Sequence, residues 1–195
     1  MKIIMEKPSY LKDVISTVSG LVQECIIEFK KDGIHIISMD LANVCMIITH
    51  ILDSTFQKYE SNDEKICINM QTLKDVIRKA SEKDMVIIEL GEKLKITLKA
   101  KTTREFNIAL INVDEDKPVK IPNVDYDVKL SMKSLELDDA IDAVGLVSEA
   151  VKIESKGNKL ILWSDECPND VKVTINELKV EKQIDCFANF SINYM

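Results

Sequence analysis

Few residues of this chain have the chemistry of a catalytic centre. Its two histidines, His35 and His50, lie within or near the end of apolar runs, which favours a structural role for both. The five glycines are scattered and form no phosphate-binding loop. The five cysteines are odd in number, widely spaced and without a CxxC pair, which supports neither a disulfide framework nor a zinc site. The residue types therefore predict no enzymatic activity, no cofactor and no metal.

The charge balance restricts the classes of partner. Acidic residues outnumber basic ones by 33 to 26, for a net charge of −7. Because phosphate neutralisation needs lysine and arginine, this argues against a simple nucleic-acid binder and makes the placement of the basic residues decisive. A hydrophobic content of 46% can supply a real core. With no long apolar span, no secretory pattern at the N-terminus and no sign of disulfides, we expect an intracellular protein.

Basic residues stand on the polar sides of two predicted helices. Lys12 lies in the first helical segment, and Lys74, Arg78 and Lys79 lie in or just after the second. Such cations could contact phosphates without reading bases, as a sliding contact requires. They could equally form an ordinary solvated helix face, and the residues alone leave both interpretations open.

The helical segments follow a spacing of three and four residues. In the first, the apolar positions are Leu11, Val14, Ile15, Val18, Leu21 and Val22, with Ser9 as the expected N-cap. In the second they are Leu73, Val76, Ile77 and Ala80. Both segments are apolar on one side only, so each must pack on a sheet.

Short runs of alternating apolar residues surround these helices and predict antiparallel strands. In the first part of the chain they are residues 3–5, 25–29, 34–39, 44–51, 65–68, 85–90, 94–98 and 106–111. The turn signals Lys31-Asp32-Gly33 and Gly91-Glu92-Lys93 predict hairpins. The fold class is therefore α+β.

A proline-bearing segment at 112–125 interrupts this pattern and reads as an extended linker. We therefore predict a first domain over 1–111, a connector over 112–125 and a second domain over 126–195. After the connector the order of elements begins again, with Gly145-Leu146-Val147-Ser148-Glu149 repeating Gly20-Leu21-Val22-Gln23-Glu24. The second copy should continue beyond Tyr194-Met195, so the second domain is expected to be incomplete.

The second copy has its own predicted elements. A strand over 126–132 precedes a helix whose inward residues are Leu137, Ile141, Val144 and Val147. Further strands are predicted at 151–154, 159–163, 171–175 and 184–190. The order of one strand, one helix and then more strands repeats that of the first copy.

One run of residues is similar to a known family. The run Asp32-Gly33-Ile34-His35-Ile36-Ile37-Ser38-Met39-Asp40-Leu41-Ala42-Asn43-Val44 resembles a strand and loop of PCNA-type DNA sliding clamps. Further matches follow in order: Tyr10-Leu11-Lys12-Asp13-Val14, Thr103-Arg104-Glu105-Phe106, Ile121-Pro122 with Tyr126, and Leu146-Val147-Ser148-Glu149. The resemblance covers essentially all of the chain.

The resemblance implies a DNA-clamp fold with sheets outside and helices on an inner face. Three subunits would close head to tail into a ring around double-stranded DNA, a trimer with no enzymatic activity. A clamp loader would open the ring, and DNA polymerase, flap endonuclease and DNA ligase would bind through clamp-binding peptides, serving DNA replication and repair. The location would be the cytoplasm of an archaeal cell or the nucleus of a eukaryotic one.

The resemblance also implies roles for particular residues. Those facing DNA would be Lys12, Lys74, Arg78 and Lys79. The partner-peptide site would comprise Met39, Val44, Met46, Val119, Ile121 and Tyr126, although the first three could equally be core strand residues. The subunit interface would pair the strand of Arg104, Phe106, Ile108 and Leu110 with that of Val171, Val173 and Ile175 in the next subunit.

The third helix departs from the family pattern and keeps two alternatives open. Its polar positions carry Glu136, Asp138, Asp139 and Asp142, where clamps usually carry basic residues. Carboxylates facing DNA would repel it. One alternative is therefore a divergent subunit that works only in a hetero-oligomeric ring, and a remoter one is an enzyme of unknown type on a duplicated α+β scaffold.

Overall fold

Antiparallel strands are the predominant secondary structure in this computed structural model, which describes residues 1–40, 42–112, 121–166 and 168–195. The chain divides into two compact units, Met1–Lys120 and Ile121–Met195, each with its own hydrophobic core. Among the described residues, no helix is long and apolar enough to cross a bilayer.

Two antiparallel sheets, two α-helices and a short 3-10 helix at Asp53–Thr55 form the described part of the first unit. One sheet has the strand order β4-β3-β2-β6, with β2 at Glu24–Lys30, β3 at Gly33–Met39, β4 at Met46–Leu52 and β6 at Glu64–Asn69. The other has the order β5-β1-β7-β8-β9, with β1 at Lys2–Met5, β5 at Lys58–Glu60, β7 at Met85–Leu90, β8 at Lys93–Lys99 and β9 at Thr103–Ala109. Alternate residues of these strands enter one shared core.

The two helices pack against each other and against this core. Helix α1 spans Ser9–Leu21 and buries Leu11, Ile15 and Val18, whereas α2 spans Met70–Ile77 and buries Met70, Leu73 and Ile77. Asn69 caps α2, because its side chain accepts a hydrogen bond of 2.9 Å from the backbone N–H of Thr72.

The prediction of Ser9 as the N-cap of α1 is wrong. Pro8 takes that position, and its carbonyl accepts the first helical hydrogen bond, from Lys12 N at 2.9 Å. Proline has no N–H to leave unpaired at a helix start, so the helix can begin one residue earlier than the serine suggests.

The described part of the second unit contains six strands, one α-helix and a short 3-10 helix at Ile192–Tyr194. One sheet has the order β13-β12-β11-β15, and a separate pair joins β10 to β14. The strands are β10 at Lys129–Ser131, β11 at Ala150–Lys156, β12 at Lys159–Ser164, β13 at Val171–Ile175, β14 at Lys179–Lys182 and β15 at Cys186–Ser191. Helix α3 at Ser134–Gly145 packs on this sheet, and Ala140 and Val144 are its buried residues.

The predicted duplication is visible in the strand pairing. In the first unit β2 pairs with β3 and β6, and β3 pairs with β4. In the second unit β11 likewise pairs with β12 and β15, and β12 pairs with β13. The pair β10–β14 likewise repeats β1–β5. The described part of the second unit thus corresponds to β1–β6 of the first, without counterparts of α2 and β7–β9.

Several predicted strand boundaries are wrong. The strand predicted at 126–132 shrinks to Lys129–Ser131, and the strand predicted to begin at Val44 begins at Met46. Two short strands, β5 and β14, were not predicted. Both are only three or four residues long and mostly charged, so neither shows the apolar alternation that marks a half-buried strand.

Candidate functional site

The basic residues at α2 face solvent. Arg78 and Lys79 are exposed just beyond the end of the helix, and Lys74 is half-buried on its last turn. Within the described ranges, none of the three side chains belongs to an ion pair. Their charges therefore remain available to an external anion.

Lys12 differs, because its ammonium group donates a hydrogen bond to the carbonyl oxygen of Ala80. This contact joins α1 to the turn that follows α2. A cation beside the last carbonyls of a helix is favourable, since the helix dipole places partial negative charge there. Lys12 thus has a structural partner within the chain.

Arg104 serves the same turn. Its Nη1 donates to the carbonyl of Lys79 at 3.0 Å, and its Nη2 lies 2.7 Å from Oδ2 of Asp84, whose side chain is buried. The backbone N–H of Ser81 and the Arg104 guanidinium together lower the pKa of the Asp84 carboxyl. Arg104 therefore fixes the segment after α2.

The other predicted interface side chains also point into their own units. Ile108 and Ile175 are buried. Phe106 and Leu110 are partly buried against the core of the first unit, and Val171 and Val173 against that of the second. Their strands, β9 and β13, nevertheless stand at the ends of their sheets. Within the described structure, the outer backbone edge of each strand is not paired with another strand.

A carboxylate organises the loop between β3 and β4. Asp40 is buried, and its Oδ1 accepts hydrogen bonds from the backbone N–H groups of Val44 at 2.8 Å and Cys45 at 2.9 Å. Its Oδ2 accepts a third, from Ala42 at 3.3 Å. Asn43 takes a positive φ of 58°, which closes the turn. The loop holds Val44 out in solvent, with 68% of its surface exposed.

Next to this loop, Met39 and Met46 face each other across β3 and β4. Both lie on the sheet face that points away from the core, and the next rung on that face pairs Ile37 with the exposed Ile48. Met39, Val44 and Met46 thus lie together on an apolar surface rather than in the core. Ile48 is not among the residues predicted for the partner-peptide site, although the alternation along β4 places it on the same face as Met46.

The remaining peptide-site predictions fall in or next to the second unit. Ile121 and Tyr126 are exposed there, at 53% and 67%. Val119 lies outside the described residues.

Helix α3 carries the opposite charge to the turn after α2. Asp138, Asp139 and Asp142 are exposed, and in the part of the chain that the structure describes they enter no ion pair. Glu136 lies 3.4 Å from Lys133. The helix therefore presents an acidic surface to its surroundings.

Comparison with known proteins identifies the family. The model of the N-terminal domain of proliferating cell nuclear antigen matches residues 1–141. The DNA polymerase sliding clamp of Pyrococcus horikoshii is 30% identical over 202 residues, which cover 100% of this chain and 81% of that protein. The clamp of Methanococcus maripaludis is 27% identical, over 93% of this chain and 73% of its own length.

Solved structures agree on the fold. PCNA from Thermococcus kodakaraensis superposes with a TM-score of 0.90 at 18% identity, over 99% of this chain and 82% of that one. The PCNA2–PCNA3 complex from Sulfolobus tokodaii gives 0.88 at 19% identity, over 100% of this chain and 82% of that one. Together with the family match and the 30% identity, these likenesses show that the chain belongs to the PCNA family of DNA polymerase sliding clamps, which are not enzymes.

Proposed function

We propose that this sliding clamp is one subunit of a closed trimeric ring that encircles duplex DNA and keeps a DNA polymerase on its template. The observation that carries the proposal is the pair of sheet edges at β9 and β13, one in each unit. Two different edges on one chain allow head-to-tail pairing, and such a heterologous contact closes into a ring when the rotation per subunit is right.

We propose that DNA contacts the unpaired cations Lys74, Arg78 and Lys79. Contacts to phosphates hold the duplex without reading its bases, as movement along DNA requires. Lys12 would contribute less than these three, because part of its hydrogen-bonding capacity is used by the Ala80 carbonyl. Such a clamp works wherever the chromosome lies, in archaeal cytoplasm or a eukaryotic nucleus.

We propose that the clamp-binding peptides of DNA polymerase, clamp loader, flap endonuclease and DNA ligase dock on the surface formed by Met39, Val44 and Met46. Two flexible thioethers beside an exposed valine can adapt to different aliphatic and aromatic anchors. Docking of this kind raises the local concentration of each enzyme on DNA without altering its chemistry.

The decisive experiment is primer extension by the polymerase of the same organism, with its clamp loader, on primed circular and primed linear DNA. A ring linked to DNA should lengthen the products more on the circular template, because it can slide off a linear end. Equal products with and without the clamp on both templates would refute the proposal.

Charge variants test the DNA surface in the same assay. The double variant Arg78→Glu with Lys79→Glu should reduce stimulation and make it more sensitive to salt, because it replaces attraction by repulsion. The double variant Lys93→Glu with Lys99→Glu is the matched control, since both lysines are exposed on β8, next to buried Leu94 and Leu98 and hence on the face turned away from the core. Equal losses in both variants would argue against DNA contact at α2.

A hetero-oligomeric ring is the second candidate, and the acidic surface of α3 favours it. Three copies of a helix with exposed Asp138, Asp139 and Asp142 would put many carboxylates near DNA. A ring that includes subunits with a basic helix at this position would dilute that repulsion. In that case this clamp alone would not stimulate the polymerase, and stimulation would return when the partner subunits are added.

A further inference from the structure

Both histidines of the chain lie at one place on the first unit. His35 on β3 and His50 on β4 are directly opposite in the strand register. Their rings stack with centroids 4.0 Å apart and planes inclined by 26°. The residues are fifteen positions apart in sequence, so only the pairing of β3 with β4 brings them together.

Asp32 completes the group from the turn before β3. Its Oδ1 lies 2.9 Å from Nε2 of His35, and its Oδ2 lies 3.6 Å from Nε2 of His50. The Nε2 atoms of both rings therefore lie beside Asp32, with that of His50 closer to the backbone carbonyl oxygen of Asp32, at 3.3 Å, than to its carboxylate.

The backbone holds the three residues in place. Gly33 has a φ of +140°, and a Cβ added to it would lie 2.1 Å from the carbonyl oxygen of Ile51. Only glycine allows β3 to begin so close to the end of β4. The N–H of Asp53 also donates to the carbonyl of Asp32 at 3.0 Å, which closes the turn over the histidine pair.

We propose that Asp32, His35 and His50 bind a divalent transition-metal ion such as Zn²⁺. One ligand atom from each residue can be chosen so that all three lie within 4.8 Å of one another. Imidazole nitrogen and carboxylate oxygen bind Zn²⁺ at roughly 2.0–2.2 Å, so small side-chain rotations would bring all three onto one ion.

The site leaves a coordination position free. The side chains of His35, His50 and Asp32 are 21%, 36% and 60% exposed, so a bound ion would face solvent on one side. Accessible zinc sites have three protein ligands and a fourth position open to water or to an external donor, whereas structural zinc sites are closed by four protein ligands. This inference is independent of the clamp function.

Isothermal titration of the full chain with Zn²⁺ tests the proposal. We expect one ion per chain, and a loss of affinity of at least about tenfold in His35→Gln, His50→Gln and Asp32→Asn. Asp53→Asn is the matched control, because Asp53 is an exposed carboxylate in the neighbouring turn whose Oδ1 accepts only from Ser54 N among the described contacts.

Cysteine thiolates are the competing ligands, and Co²⁺ distinguishes them from His and Asp. Ligation by His and Asp gives weak d–d absorption, whereas Cys45 or Cys186 would add intense thiolate charge transfer. Circular dichroism establishes that each variant is folded. Absence of binding at millimolar Zn²⁺, or wild-type affinity in folded His35→Gln and His50→Gln, would overturn the proposal.

Discussion

Glu64 is held by an ion pair and two hydrogen bonds in the first unit. Its Oε1 lies 3.0 Å from the amino group of Met1, and its Oε2 accepts hydrogen bonds from Ser61 Oγ at 2.6 Å and from Asn62 N at 2.8 Å. Burial acts to raise the pKa of Glu64, but these hydrogen bonds outweigh it and lower the pKa to about 2. Glu64 thereby joins the start of β1 to the turn that leads into β6.

This shift predicts a dependence of stability on pH. A carboxyl whose pKa is depressed on folding stabilises the protein above its ordinary pKa of 4.5, and this contribution disappears as the pH falls towards 2. Glu64→Gln should therefore lower the free energy of unfolding by about 1 kcal/mol at pH 7, after allowance for solvent screening. Urea unfolding at about pH 7, 4 and 2.5 should show the difference in stability between the wild type and Glu64→Gln shrinking on acidification.

Glu60→Gln is the control for this prediction. Glu60 forms a surface ion pair with Lys58 at 2.9 Å, and its side chain is 58% exposed. Exposed pairs contribute little to stability, so this variant should unfold like the wild type at each pH. If the two variants behaved alike, the assigned role of Glu64 would be wrong.

Single residues also show the limits of sequence reasoning. The positions of Arg78 and Lys79 outside the apolar face follow from helical periodicity, because that spacing depends only on nearby residues. The internal contacts of Lys12 and Arg104 do not, since their partners Ala80 and Asp84 are 68 and 20 positions away. The sequence therefore indicates on which face of a helix a cation lies, but not whether it already has a partner.

At the scale of elements, the loop between β3 and β4 depends on the aspartate that follows Ser38-Met39, because its side chain accepts hydrogen bonds from the loop backbone. The carboxylate of Asp40 accepts hydrogen bonds from the backbone N–H groups of Val44 and Cys45, which have no strand partner in the loop. The resemblance to sliding clamps predicts this loop, whereas the apolar pattern alone predicts that β4 begins at Val44, two residues before its start at Met46. Apolar alternation cannot distinguish an exposed loop valine from a strand residue.

This loop gives a prediction for partner binding. Val44→Asp should weaken binding of a clamp-binding peptide by at least about tenfold, because it places a charge on the proposed apolar docking surface. Asp40→Ala should weaken it as well, and should cost about 1 kcal/mol of stability by leaving part-buried backbone amides without their partner. Fluorescence anisotropy of a labelled peptide measures the affinity, and urea unfolding measures the stability.

Leu52→Asp is the control for the peptide prediction. Leu52 ends the same strand as Met46 and is 52% exposed, so the same kind of charge is introduced away from the loop. Its peptide affinity should match that of the wild type. Equal weakening by Leu52→Asp and Val44→Asp would mean that the peptide does not read this loop.

At the scale of the whole molecule, the duplication leaves the two units with different surfaces. Leu21 at the end of α1 packs on the core of the first unit, whereas Leu146, at the corresponding place after α3, is 88% exposed. Leu135 and Phe187 of the second unit are also exposed, at 72% and 69%. The order of elements could be predicted from the repeat, but the exposure of these residues depends on which elements cover them.

The sheets end in edges, and the ring proposal assigns two of them to contacts between subunits. Strand β9 has seven residues and β13 has five, and the outer side of each is unpaired within the described structure. Light scattering of the purified chain should therefore give three times the 22.1 kDa of one subunit if three copies close the ring.

A proline in β13 tests which edge forms that contact. Thr174→Pro should shift the mass towards that of one chain, because proline removes a backbone donor and does not fit into a continuous sheet. Asn189→Pro is the matched control, since Asn189 lies in β15 at the opposite edge of the same sheet and is likewise exposed. Thermal unfolding checks that both variants remain folded. If folded Thr174→Pro kept the trimer mass, or if Asn189→Pro alone dissociated, β13 would not be the strand that closes the ring.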